Sequence, residues 1–339
     1  MLEKPAIKDE RIIACLQDTY GLHVEGIAFL PIGADQNTAV YRALGNDKRQ
    51  YFVKLRKGVP DRAAILVPAH LHTLGMKQII PTIPTRTGQL WADIAPYNML
   101  VYPFIEGRDG YERKMSPEHW AAFGAALKRF HTAVFPPSIT DGVRREGFSP
   151  RWQESVRSHY TLIDQKRFDD PVAVKMAAFL KTRRDETLRL VESAERLALD
   201  LQAQPPDFIL CHGDIHGWNL LIDDDEALYI VDWDTLVFAP KERDLMFIGG
   251  GIGRSSYSPG EEKAMFYRGY GRTDINQTAI AYYRYERIIE DIAIFCDQIF
   301  LSDEGSLDRE QALEHVKSNY LPNSTIEVAQ ASDQAVIDG

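Results

Sequence analysis

The groups with the most chemical potential in this chain sit in one short stretch. The apolar run Phe208-Ile209-Leu210-Cys211 is bounded like a buried strand rather than a helix. His212, Asp214 and Asn219 follow it in the spacing H-x-D-x-x-x-x-N. A second acid, Asp232, stands 13 residues after Asn219, at the end of the apolar segment Leu228 to Val231. Leu220-Leu221-Ile222 and the turn-like Asp223-Asp224-Asp225 lie between, so the stretch reads as a strand, a polar loop and a hairpin. Phosphoryl transfer uses such a set: a carboxylate that accepts or orients the proton of an attacking hydroxyl, and oxygen ligands for a Mg²⁺ that bridges phosphates. Asp214 suits the first role, and Asn219 and Asp232 the second. The Asp-to-Asn spacing lets one loop aim a carboxylate at the acceptor and an amide oxygen at the metal, and the hairpin brings Asp232 back to it.

HGDIHGWN followed by IVDWD resembles the catalytic loop and metal segment of the aminoglycoside phosphotransferase and choline kinase group, distant relatives of the protein kinases, whose own versions read HRD and DFG. The segments YFVKL, VYPFI, HGDIH, PKERDLMFIGGG and YYRYERIIEDIA, in this order, are most similar to those of the spectinomycin phosphotransferases within that group. The resemblance implies an α+β, protein-kinase-like bilobal fold: an antiparallel five-stranded N-lobe over residues 1–103, a hinge at 104–110 and a mainly helical C-lobe over 111–320. Residues 321–339 are polar and are expected to be a disordered tail. The implied reaction is ATP- or GTP-dependent, Mg²⁺-dependent O-phosphorylation of an aminocyclitol or aminoglycoside antibiotic, most similar to spectinomycin phosphorylation and hence to resistance. Two alternatives stay open: a metabolic kinase of the same fold acting on choline, a sugar or an amino alcohol, and a catalytically silent protein that binds nucleotide or antibiotic.

The elements that must position these groups follow from the patterns upstream. Strand patterns run over Val24 to Leu30, Thr38 to Leu44 and Arg49 to Leu55, and Leu90 to Ile94 with Met99 to Phe104 complete a five-stranded sheet. In the kinase-like reading the link between the first two strands, with Gly33, Asp35 and Asn37, is the flap over the nucleotide phosphates; by itself it reads as an ordinary hairpin. Lys54 is a charge inside an apolar strand. The resemblance makes it the phosphate-binding lysine, whereas the plain alternative is an edge-strand lysine with its ammonium in water. Such a lysine usually pairs with a Glu on the next helix, and here the helix from Asp61 to Leu74 offers only Asp61, which is equally placed to cap its N-terminus. Pro68 should kink that helix. Pro103, Phe104 and Ile105 resemble the adenine-binding hinge, with the Pro103 carbonyl accepting from the adenine amine and the Ile105 N–H donating to the ring.

From Ser116 the period becomes helical. Helices are expected from Ser116 to about Ala133, Pro150 to Ile163, Pro171 to about Gln204 and Asp274 to Leu301. In the last of these, Tyr283, Glu286, Glu290 and Asp297 fall on one stripe, which would bind a cationic acceptor; the alternative is a solvated acidic face paired with Arg284 or Arg287. The resemblance makes Asp244 of the PKERD run the late acid that ties the catalytic loop in place, while the plain alternative is the preference of a helix start for acids; His212, and Asp61 as a partner for Lys54, are further supporting candidates. Gly249-Gly250-Gly251 and Gly253 form a flexible or close-packed segment.

A net charge of −10 argues against a nucleic-acid surface, which needs clustered cations. Three cysteines without a CxxC pair fit a reducing compartment, and the absence of a long apolar run or signal core fits a soluble, cytoplasmic protein without a membrane partner.

Overall fold

The structure, a computed structural model, describes residues 3–33, 35, 37–250, 257–302 and 306–338. It opens with helix α1 (Asp9–Cys15), continued by one wider turn that stops at Gly21 with φ +73°. Five antiparallel strands follow: β1 (Val24–Leu30), β2 (Thr38–Gly45), β3 (Gln50–Lys57), then β4 (Ala92–Ile94) and β5 (Tyr97–Pro103). Their order across the sheet is β1-β2-β3-β5-β4, with Lys54 of β3 opposite Val40 and Leu100. Alternation along β3 buries Tyr51, Val53 and Leu55 on one face and turns Lys54 and Arg56 to the other. The buried face packs on Ile12 and Leu16 of the opening helix.

Helix α2 (Arg62–Thr73) lies between β3 and β4 in sequence and runs unbroken through Pro68. Its Ala63, Val67 and Leu71 belong to the apolar cluster of the helical part, not to that of the sheet. Strand β6 (Gly107–Asp109) follows the β5 exit, and then come α3 (Pro117–His131), α4 (Pro137–Thr140), α5 (Arg151–Gln165), α6 (Pro171–Thr182) and α7 (Arg184–Ala203). The single helix read from Pro171 to Gln204 is therefore two, broken at Arg183.

The stretch that opens on Phe208 forms β7 (Ile209–Cys211), β8 (Leu220–Asp223), β9 (Leu228–Ile230) and β10 (Val237–Ala239). β7 pairs with β10, while β8 pairs with β9 on one side and with β6 on the other, so the exit from β5 is hydrogen-bonded to the β8–β9 hairpin. The remaining helices are α8 (Glu242–Leu245), α9 (Pro259–Tyr270), α10 (Gln277–Phe300), α11 (Ser306–Ser318) and α12 (Thr325–Asp338). α10, capped by Asn276 Oδ1 on the Ala279 N–H at 3.0 Å, is the central strut. It buries residues around most of its circumference, from Ile280 to Phe300, against the neighbouring helices.

The expectation of a disordered tail is corrected: residues Thr325–Asp338 form α12, whose Ile326 and Ala329 are buried and whose Asp333 meets Arg196 and Tyr285. A sparse apolar set was enough because α10 supplies the opposing face. α3 and α9 cross on facing glycines; a Cβ on Gly269 would stand 1.8 Å from the Ala121 carbonyl oxygen, and one on Gly124 2.2 Å from that of Phe266. Gly251 and Gly253 lie outside the described residues. Cys15, Cys211 and Cys296 are unpaired thiols. Among the described residues no helix is long and apolar enough to cross a membrane.

Candidate functional site

The polar loop after β7 is held by backbone and side-chain bonds that begin with Gly213. Its φ is +86° and a Cβ there would lie 2.4 Å from the Thr235 carbonyl oxygen, so only glycine fits between His212 and Asp214. Asp244, fully buried on α8, accepts from the N–H groups of His212 (2.9 Å) and Gly213 (2.8 Å) and meets His131 Nε2 at 2.8 Å. His131 in turn meets the Tyr270 hydroxyl at 2.8 Å. His131, Cys211 and Asp244 lie close enough to resemble a metal cluster, but their polar atoms are already engaged in these bonds and in Cys211 Sγ contacts to the Ala239 and Pro240 carbonyls. The cluster is a tether. His212 ties the same loop to the segment that leaves β9, with Nε2 at 3.1 Å from the Val231 carbonyl oxygen.

Asp214 is turned toward α10. It forms an ion pair with Arg287 Nη1 and lies 3.4 Å from His216 Nε2. Burial opposes its ionisation, but Arg287 and then His216 outweigh burial and hold the carboxyl well below the usual carboxylate range. Asn219 donates Nδ2 to the Asp214 carbonyl oxygen at 2.7 Å, leaving its Oδ1 as the remaining acceptor of the amide. Asp232 follows β9 with φ +61°, a left-handed conformation uncommon for a residue with a side chain, and its carboxylate is half exposed. Burial again opposes ionisation of Asp232, and Lys54 overcomes it. An amide oxygen and an ionised carboxylate are hard donors of the kind Mg²⁺ takes, so the residues present fit that ion.

Lys54 reaches across to this loop. Its Nζ lies 3.0 Å from Asp232 Oδ1 and 2.6 Å from Asp234 Oδ2. Burial works against its charge, but the two carboxylates prevail and push its pKa above the ordinary lysine value. Asp61 is not its ion-pair partner, which corrects one expectation: Asp61 Oδ1 accepts from the N–H groups of Ala63 (3.0 Å) and Ala64 (3.2 Å), as the cap of α2. Between β1 and β2, Gly33 has φ +86°, and Asp35 accepts from the Asn37 N–H (2.8 Å) and the Thr38 hydroxyl (2.8 Å). At the end of the sheet's β5, Pro103 closes the strand, and Phe104 donates its N–H to the Gln50 carbonyl at 3.0 Å under the Arg42 guanidinium. Ile105, half-buried, leads on to β6.

The acidic stripe on α10 is not a single surface. Tyr283 is fully buried, with its hydroxyl lacking a hydrogen-bond partner among the described residues. Glu286 is buried against Gln153 Nε2 at 2.6 Å, and burial pushes its pKa up to about 8. Glu290 pairs with Arg243, which also donates to the Gly213 carbonyl, and Asp297 pairs with His159. The residues that do face Asp214 are one position round the helix, Arg287 and Asp291, paired with each other at 3.2 Å. A shift of one residue turns a helix face by about 100°, which is why a stripe drawn from charge alone missed them.

A cavity of about 460 Å³ is lined by Tyr111, Glu112, Lys114 and Trp218. Tyr111 and Trp218 rings are 5.1 Å apart, His216 stands 5.5 Å from Trp218, and His315 of α11 closes on Trp218 at 5.3 Å. Burial pushes Tyr111 up to about 12, with Asp214, Asp109 and Asp291 adding to the rise against Arg287. Of these residues, His216 and Trp218 stand inside the motif itself, and Asp234 stands in its DWD ending. The signal was present there, but residue type alone assigned them no partner.

Comparison with known proteins supplies the remaining step. The sequence profile of the phosphotransferase enzyme family (APH) matches residues 28–286. Spectinomycin phosphotransferase APH(9)-Ia, solved in complex with ADP and spectinomycin, is 34% identical, with 97% of this chain and 100% of that one covered at a TM-score of 0.90. Amicoumacin kinase in complex with AMP-PNP and Ca²⁺ shares the fold at 16% identity and a TM-score of 0.58, covering 96% of this chain and 97% of its own. Choline kinase LicA from Streptococcus pneumoniae does so at 15% identity and a TM-score of 0.55, covering 97% and 99%. No curated protein matches the chain. The chain belongs to the phosphotransferase enzyme family, built on the protein-kinase-like fold, and is a phosphotransferase that acts on hydroxyl groups.

Proposed function

We propose that this enzyme transfers the terminal phosphoryl group of ATP or GTP to a hydroxyl of an aminocyclitol antibiotic of the spectinomycin type. The observation that carries the acceptor half is the cavity lined by Tyr111, Glu112, Lys114 and Trp218, with His315 closing on Trp218 and His216 linking Trp218 to the ionised Asp214. A small polycyclic cation with several hydroxyls needs such a mixture of charge and flat apolar wall. Similarity at 34% identity to an enzyme solved with ADP and spectinomycin supports the same reading.

In this assignment Asp214 receives the acceptor hydroxyl. Because Arg287 holds it ionised and weakly basic, Asp214 orients the hydroxyl and takes its proton late, as a loose transition state requires. Asn219 and Asp232 would hold Mg²⁺, which when bound neutralises charge developing between the phosphates. Lys54 meets the donor phosphates. The loop with Gly33, Asp35 and Asn37 covers them, and the backbone of Pro103 and Ile105 reads the adenine edge. Asp244 and His212 keep the catalytic loop rigid, so that no reorganisation is required at the moment of transfer.

The aromatic walls favour a second reading, since the rings of Tyr111 and Trp218 also suit a methylated ammonium such as choline. The deciding experiment is Mg²⁺-dependent ADP release by purified protein with spectinomycin, choline and representative aminoglycosides, with Asp214→Asn as control. Turnover with spectinomycin, lost in the variant, is the expected result. Turnover with choline alone moves the acceptor and keeps the mechanism, and turnover that survives Asp214→Asn refutes the role given to that residue.

A further inference from the structure

The carboxylate that Lys54 needs does not come from α2. No acid lies between Arg62 and Thr73, and Asp61 is engaged by the first turn of the helix. Both partners of Lys54 come instead from the segment after β9, and the two are not equivalent. Asp232 is half exposed and belongs to the set that would hold the metal; a dication bound there cancels its pull on a neighbouring ammonium. Asp234 is more enclosed, lies nearer to Lys54 at 2.6 Å, and carries a second cation on the same oxygen: Arg56 Nη1 stands 2.5 Å from Asp234 Oδ2.

Arg56 is two residues from Lys54 on β3, so both side chains leave the same face of the sheet. Its strand position is pinned by Asn98, buried on β5, which donates Nδ2 to the Arg56 carbonyl at 3.0 Å. Lys54, Arg56, Asp234 and Tyr102 line one narrow cavity beneath β3 and β5.

We infer that Asp234 is the positioning carboxylate of the donor site, fixing Lys54 and Arg56 side by side so that two cations, not one, meet the nucleotide phosphates. It takes the place of the acid that α2 lacks, and Arg56 becomes a second phosphate ligand. The inference rests on the donor assignment proposed above.

The test is a binding cycle read by titration calorimetry with ATP and Mg²⁺, on wild type, Lys54→Ala, Asp234→Asn and the double variant. Each single change weakens ATP binding tenfold or more. In the Lys54→Ala background, Asp234→Asn costs less than it does in wild type and no more than Arg56→Gln does, because only Arg56 is left for it to position. Arg56→Gln, which leaves the Lys54–Asp234 pair intact, weakens ATP binding at least threefold and serves if Asp234→Asn does not fold. A melting temperature lowered by Asp234→Asn with ATP affinity unchanged or tighter overturns the inference, as do strictly additive effects or an Arg56→Gln variant with normal affinity. Weakened binding in Lys54→Ala beside normal binding in Asp234→Asn removes only this inference. Normal binding in Lys54→Ala removes the donor assignment and the inference together.

Discussion

Replacing Glu286 with glutamine should stabilise the protein, and by more at pH 8 than at pH 6. Glu286 is buried in the middle of α10, with Gln153 of α5 donating to it at 2.6 Å; Tyr282 and Glu290 on its own helix, Glu146 and Arg243 are the other polar groups around it. Burial is the largest influence and raises its pKa from 4.5 to about 8. Between those values the folded protein keeps a proton that the unfolded chain has lost. Stability therefore falls as pH rises from about 4.5 to about 8 and levels off above, at a limiting slope of about 1.4 kcal/mol per pH unit. Between pH 6 and 8 this amounts to roughly 2 kcal/mol, since the slope flattens as the folded pKa is approached. An amide at this position still accepts from Gln153 and never ionises. It also offers an N–H₂ to Gln153 Oε1, a buried oxygen with no hydrogen-bond partner among the described residues. The advantage of Glu286→Gln over wild type should therefore grow from pH 6 to pH 8 by about 2 kcal/mol, or roughly 3 °C in melting temperature. Thermal unfolding of both proteins across pH 5 to 9 reads this directly. Parallel curves for the two proteins would mean that Glu286 is ionised in the fold and that the burial argument is wrong.

Other outcomes follow from the same geometry. Asp214 stays ionised because of Arg287, so the acid limb of kcat/KM should show no Asp214 transition above about pH 4; Arg287→Gln should bring that limb upward into the measurable range, and an unmoved profile would deny the pairing its role. Trp218→Ala should raise the acceptor KM by about tenfold, the worth of one lost ring wall, with the ATP KM within twofold; a change confined to ATP would place Trp218 at the wrong substrate. Gly269→Ala should cost on the order of 3 kcal/mol by forcing α9 away from α3, and an unchanged urea midpoint would show that the crossing yields easily.

Much of the site was legible because its chemistry is local. Asp214, Asn219 and Asp232 lie on one loop and one hairpin, where spacing along the chain sets spacing in space, and Gly213 is required by a backbone contact within the same segment. The antiparallel sheet was legible for a similar reason: neighbouring strands joined by short turns pair with each other, and period-two burial names the inward face of β3. Lys54 stood out as a charge in an apolar strand. Its partner did not, because Asp232 and Asp234 are distant in sequence and only the closure of the sheet on the hairpin brings them together.

Tertiary structure alone decided the rest. The acidic stripe of α10 failed because a helix surrounded on most sides has no single outward face in its sequence. Packing chose the rotation that buries Tyr283 and Glu286 and turns Arg287 and Asp291 to Asp214. The same packing made a helix of Thr325–Asp338, where few apolar residues suffice once α10 covers them. Sequence by itself determined that Asp214, Asn219 and Asp232 stand together on one loop and hairpin, since short spacing along the chain sets spacing in space. Which cation each carboxylate holds was settled by contacts between segments far apart in the chain, because an ion pair depends on distance in space and on what excludes water from it.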